Sequence, residues 1–197
     1  MLKHVCNRCI EWNNKNILIA FRFFPDILIG IGWASIHKVC VELLPTQWLS
    51  FEQLALSLFF IIMCSLWKNE KFRQKSLNIF LYLSIFEMIS GMILAFSMAV
   101  WFNVWIYAIG SLIYTGAISI LLNRIGISFK SKLFNNRSRE NFDNDMDLAC
   151  SLSSLIGFGI ASIISIPISY ALIFWGIAWL SNLGWIIVYI KNKKMLI

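Results

Sequence analysis

The stretch that decides the fold is Leu77–Val100, LNIFLYLSIFEMISGMILAFSMAV. It is long enough to cross a bilayer, since a helical span needs about 20 predominantly apolar residues. It carries one full charge, Glu87. With the span starting at Lys75, Glu87 lies about 18 Å along it at a rise of 1.5 Å per residue. That is near the middle of a hydrocarbon core about 30 Å thick. A carboxylate at that depth costs about 2.5–3.5 kcal/mol on insertion scales. A partner charge, a water-filled cavity or a bound proton has to offset this cost, so the rest of the chain is read as the bundle that houses Glu87.

Composition supports a membrane bundle. Hydrophobic residues make up 59% of the chain and charged residues 14%, against about half and a quarter in soluble domains. Mean hydropathy is +0.73. Apolar periods and their breaks predict an all-α, polytopic protein with a single six-helix membrane domain over 1–197. The expected spans are 17–40, 49–67, 77–98, 104–122, 148–166 and 168–190, with one long loop over 123–147. Only Pro167 separates the last two. A tight turn is expected there, because a single kinked helix through both would be far too long to cross once.

The formal net charge is +7, and its placement argues against a nucleic-acid partner. Lys3, Arg8 and Lys15 precede the first span. Lys68, Lys71, Arg73 and Lys75 follow the second. Arg124, Lys130, Lys132, Arg137 and Arg139 follow the fourth, and Lys191, Lys193 and Lys194 follow the sixth. Fifteen of the seventeen Lys and Arg therefore fall on one side, while the opposite loops hold only Lys38. Basic residues at span ends set orientation and meet anionic headgroups, which predicts cytoplasmic termini and the lipid bilayer as the first partner; the compact size and short loops suit the cell inner membrane. Trp48, Trp101 and Trp105 fall at the outer boundary, where amphipathic rings anchor. Met1–Asn16 is polar and lacks the apolar core of a cleavable signal peptide. In the 123–147 loop the acids Glu140, Asp143, Asp145 and Asp147 follow the basic run. Asp145 and Asp147 are expected to cap the fifth helix, and a short interfacial helix is expected around 127–134.

Three sets of residues stand out as chemistry. Arg22 and Asp26 are four apart on one face of the first span, around Pro25. They form either a charge site that faces a cavity with Glu87, or an internal ion pair that fixes packing. Glu87 has no basic residue at its depth in its own span, which suits a proton carrier; ionisable residues inside a membrane are functional candidates by default. The fifth span carries Ser153, Gly157, Ala161 and Ser165 at four-residue spacing, and the fourth carries Ser111, Thr115 and Ser119. Small residues so spaced let helices approach closely, within the chain or at a dimer seam. Gly30 and Gly32, and Gly157 with Gly159, add flexibility or close packing. Cys6 and Cys9 form C-x-x-C beside His4, but no second ligand pair is spaced to complete a metal site. His37 and Glu42 lie near the outer end of the first span. No H-E-x-x-H or G-x-S-x-G is present, so neither a metal, a cofactor nor an enzymatic activity is expected.

The segment after the second span reads Glu70-Lys71-Phe72-Arg73-Gln74-Lys75. It resembles the D-R-x-G-R-R/K loop of the major facilitator superfamily, with Glu70 as the acid, Lys71 as the first base and Lys75 as the last. Arg73 and Gln74 replace the family's glycine and one arginine, Leu66 stands where the family has an upstream glycine, and the fourth span lacks the arginine of many proton-coupled members. The order of long and short loops over most of the chain is similar to one six-helix half of that fold. The resemblance implies a gating role for Glu70, Lys71 and Lys75, and a homodimer or a second six-helix subunit to complete a central cavity. The expected function is a small inner-membrane transporter or half-transporter, proton-coupled through Glu87 and Asp26, with Arg22 beside them. The alternatives are a non-transporting binding protein of the bacteriocin-immunity or accessory-subunit type, and the substrate-binding membrane subunit of an energy-coupled importer.

Overall fold

The computed structural model describes residues 2–134 and 136–196, with their side chains apart from 2–12, 49, 73, 76, 77, 115, 136–138 and 193–196. Helix α1 runs Leu2–Leu43, α2 Thr46–Leu66 and α3 Glu70–Val100. The fourth span is composite: α4 (Val104–Ser111), a π-helical stretch (Leu112–Ile118) and α5 (Ser119–Leu133). Helix α6 covers Asn136–Ile163. The sixth span is α7 (Ile168–Ala178), a 3-10 turn (Trp179–Ser181) and α8 (Asn182–Leu196). No strand occurs among the described residues. Six helical segments are long and apolar enough to cross a membrane: Asn13–Leu43, Thr46–Leu66, Asn78–Val100, Val104–Leu133, Arg139–Ile163 and Ile168–Asn192.

The breaks have local causes. Pro45 precedes α2 and cannot continue α1. Asn69 caps α3, its Oδ1 accepting from Lys71 N at 3.0 Å and Phe72 N at 3.3 Å. Asn103 caps α4 in the same way, accepting from Trp105 N and Ile106 N. Residues 164–166 are non-helical and Pro167 opens α7, which gives the turn expected between the fifth and sixth spans.

The segment expected as a long loop over 123–147 is different. Helix continues to Leu133 and resumes at Asn136. The reason is that charged faces there find partners. Lys130 Nζ reaches Asp143 Oδ1 at 2.9 Å and lies over the Phe142 ring, and Lys15 pairs with Asp145. Asp145 and Asp147 therefore lie inside α6 and do not cap it; Asp145 ties α6 to α1. Glu70, Lys71 and Lys75 likewise belong to the first turns of α3 and not to a loop.

Helix α1 packs along α6, α7 and α8, and α3 along α7 and α8. The second span stays peripheral, 6% buried against 50% for the sixth, and rests on the π stretch and α5. Two apolar cores form. One, toward the basic ends, centres on Phe80, Ile125, Phe129, Phe142 and Val188; Phe129 stacks on Tyr189 at 5.6 Å. The other, toward the opposite ends, centres on Ala95, Ala171, Leu172, Tyr107 and Trp175. Trp48 and Trp105 meet edge to face at 5.5 Å on that side. Ser35 Oγ donates to Ile166 O at 2.6 Å, fastening α1 to the turn between the last two spans.

Candidate functional site

Glu87 sits between the two cores. It is 2% exposed and borders a cavity of about 530 Å³. Five of the six spans contribute to its wall, through Arg22, Ser84, Lys130, Met146 and Trp179 among others. Arg22 on its wall has a side chain that is 51% exposed.

Two neutral donors hold the carboxylate. Ser119 Oγ donates to Oε1 at 2.7 Å, and Asn182 Nδ2 donates to Oε2 at 2.7 Å. Both donors follow an irregularity in the helix. Ser119 is the first residue after the π stretch, and its Oγ also contacts Tyr114 O at 3.2 Å. Asn182 is the first residue after the 3-10 turn. A wider or tighter turn shifts the register downstream of it, since each residue of an α-helix turns by about 100°. These two shifts bring Ser119 and Asn182 onto Glu87. Trp179 sits in the same 3-10 turn and its ring lies on Gly91: a Cβ added at Gly91 would fall 2.4 Å from the ring.

Arg22 lies on the cavity wall with Glu87. Its Nε donates to Asp26 Oδ2 at 2.9 Å, as the four-residue spacing predicts. Cys150 of α6 lies beside both side chains. Asp26 is buried and, unlike Arg22, is not among the residues that line the cavity, so the expected cavity shared by Arg22, Asp26 and Glu87 holds only Arg22 and Glu87. Pro25 removes the hydrogen bond to Phe21 O between these residues.

The small-residue rows are used within the chain. Gly157 meets Gly30, where an added Cβ would come 2.8 Å from Gly30 Cα and 2.6 Å from Ile27 O. Ser153 is fully buried, its hydroxyl donating to Cys150 O at 2.9 Å. Ala161 lies near the end of α6, and Ser165 lies past it, exposed, so the contact does not run the length of the row. Gly32 meets Ala171 on α7. In the fourth span the π stretch breaks the spacing of Ser111, Thr115 and Ser119, and the Thr115 side chain lies outside the described residues. The side chains of His4, Cys6 and Cys9 also lie outside them. His37 stacks on Trp33 at 5.9 Å. Lys71 and Lys75 are exposed, while Glu70 has a partner within the fold. Arg124, expected in a loop, is in α5; its Nη2 donates to Cys64 Sγ at 2.8 Å and its guanidinium covers the Phe60 ring.

Sequence reasoning passed over Asn182, Lys130 and the tryptophans of the sixth span, and took Ser119 only as a packing residue. The signal for Asn182 was present: an amide inside an apolar span needs a partner. No family model, curated protein or solved structure matches the chain.

Proposed function

We propose that this chain is a small multi-pass transporter of the cell inner membrane, or one six-helix half of such a transporter, with the Glu87 cavity as its solute site. The observation that carries this reading is a carboxylate deep in an apolar bundle that borders a cavity, shares its wall with the half-exposed Arg22, and takes its hydrogen bonds from neutral donors. An ion kept solely for packing would be expected to have a counter-ion and no cavity. Glu87 serves as the coupling group, changing its proton or ligand occupancy as the cavity opens to either side. Arg22 and Asp26 act as one unit that stabilises the wall, and Glu70, Lys71 and Lys75 form the switching segment at the start of α3.

A panel of small cations, anions, sugars and peptides is screened by thermal shift on the purified protein, and solutes that stabilise it are tested for uptake into proteoliposomes. At least one solute is expected to accumulate, and Glu87→Gln is expected to abolish uptake while leaving insertion intact. Uptake unchanged in Glu87→Gln, or no uptake of any solute by correctly inserted protein, would replace transport with the binding-protein reading.

A further inference from the structure

We propose that the Glu87 cavity takes an organic cation: an ammonium or other onium group carried on an apolar body. This deepens the transport reading and rests on the same cavity.

Three charged residues line the cavity: Arg22, Glu87 and Lys130. Each cation has its own carboxylate. Arg22 is bonded to Asp26 at 2.9 Å and Lys130 to Asp143 at 2.9 Å. Glu87 has no ion pair among the described residues: Arg22 acts on it from the same cavity wall but is bonded to Asp26, and the two hydrogen bonds of Glu87 come from uncharged groups. Hydrogen bonds from a hydroxyl and an amide satisfy two of the roughly four lone-pair directions of a carboxylate, but they do not cancel its charge. The unbalanced charge of the site is therefore negative. In an apolar bundle its attraction for a cation is far stronger than in water. An anion would have to displace Asp26 or Asp143 from its partner and then face Glu87.

The rest of the wall fits the apolar body of such a ligand. Phe80, Trp175, Trp179 and Trp185 line the cavity, and aromatic faces attract cations within about 6 Å while covering apolar surface. The cavity volume of about 530 Å³ lies within the range of about 300–1,000 Å³ for small-molecule sites.

Tetraphenylphosphonium and tetraphenylborate have nearly the same shape and opposite charge, so together they test the sign of the site. Binding of each is measured by equilibrium dialysis against the full chain in nanodiscs of zwitterionic lipid, with empty nanodiscs subtracted. Tetraphenylphosphonium is expected to bind saturably, one per chain. Glu87→Gln keeps the size and hydrogen-bonding capacity of the side chain and is expected to weaken binding by about tenfold or more, whereas Glu87→Asp retains most of it. Tetraphenylborate is expected to show only partition into lipid. Equal binding of tetraphenylphosphonium by wild type and Glu87→Gln would overturn the proposal. So would saturable binding of tetraphenylborate, which would assign an anion site to Arg22 and Lys130. The comparison of the two ions on the wild type stands even where a variant fails to fold. Saturable cation binding without solute uptake removes transport and keeps the cation site. Glu87-dependent uptake without cation binding keeps transport and removes the cation class.

Discussion

Glu87 shows how one residue's position in the sequence and its neighbours in space carry different information. Its depth within an apolar run was plain from spacing alone, and so was the need for compensation. What compensates it was not legible. Ser119 is 32 residues away and Asn182 is 95, so no local spacing connects them to Glu87. The two donors differ from an ion pair in consequence: removing one leaves the other in place. Ser119→Ala is expected to lower stability by about 0.5–2 kcal/mol, the range for one hydrogen bond inside a membrane protein or to a charged group, read as a lower melting temperature in mild detergent. An unchanged melting temperature would show that the Ser119 bond adds nothing to the folded state. Arg22 and Asp26 are the opposite case, because their pairing follows from four-residue spacing on one helix face and appears at 2.9 Å.

At the scale of elements, the fifth span separates two glycines that look equivalent in sequence. Gly157 lies backbone to backbone against Gly30, and a Cβ there would come 2.6 Å from Ile27 O. Gly159, two residues on, has nothing within 4 Å. Gly157→Ala is therefore expected to push α6 from α1 and cost about 1–3 kcal/mol, as overpacking does. Gly159→Ala should be neutral or slightly stabilising, because alanine favours helix by up to about 1 kcal/mol. Melting of the two variants side by side checks this, and equal losses would contradict the close contact. The fourth and sixth spans make a second point at this scale. Each reads as one continuous apolar run, yet each changes helical form before the residue that reaches Glu87. A hydropathy window averages over such a change and does not register it.

For the whole molecule, the helical connections set the six spans alternately up and down, and the tryptophans Trp48 and Trp105 meet at the end opposite the basic run around Lys130. The distribution of Lys and Arg predicts that both termini face the cytoplasm. Reporter fusions after Leu133 and at the C-terminus are expected to be active as cytoplasmic reporters, and a fusion after Trp101 as an exported one. The reverse pattern would invert the protein and place the basic run around Lys130 on the outer side. The second span, 6% buried, leaves most of its apolar surface uncovered by the other helices. The 123–147 segment shows where composition misleads at this scale: a run of mixed charge reads as loop, but its Asp145 and Asp143 pair with Lys15 and Lys130, and the helices on either side extend to meet them.

The sequence by itself determined the helical class, the six apolar spans, the turn at Pro167, and the Arg22–Asp26 pair. All of these depend on hydropathy, a proline break and spacing within one segment, where 3.6 residues per turn fixes which side chains share a face. Only the tertiary structure decided that Glu87 meets Ser119 and Asn182, that Arg22 but not Asp26 lines the cavity, and that the tryptophans of the sixth span line it too. Those outcomes depend on the rotation of one helix against another. That rotation is set by glycine contacts between spans and by single-residue register shifts in the π stretch and the 3-10 turn, and neither leaves a periodic trace in the chain.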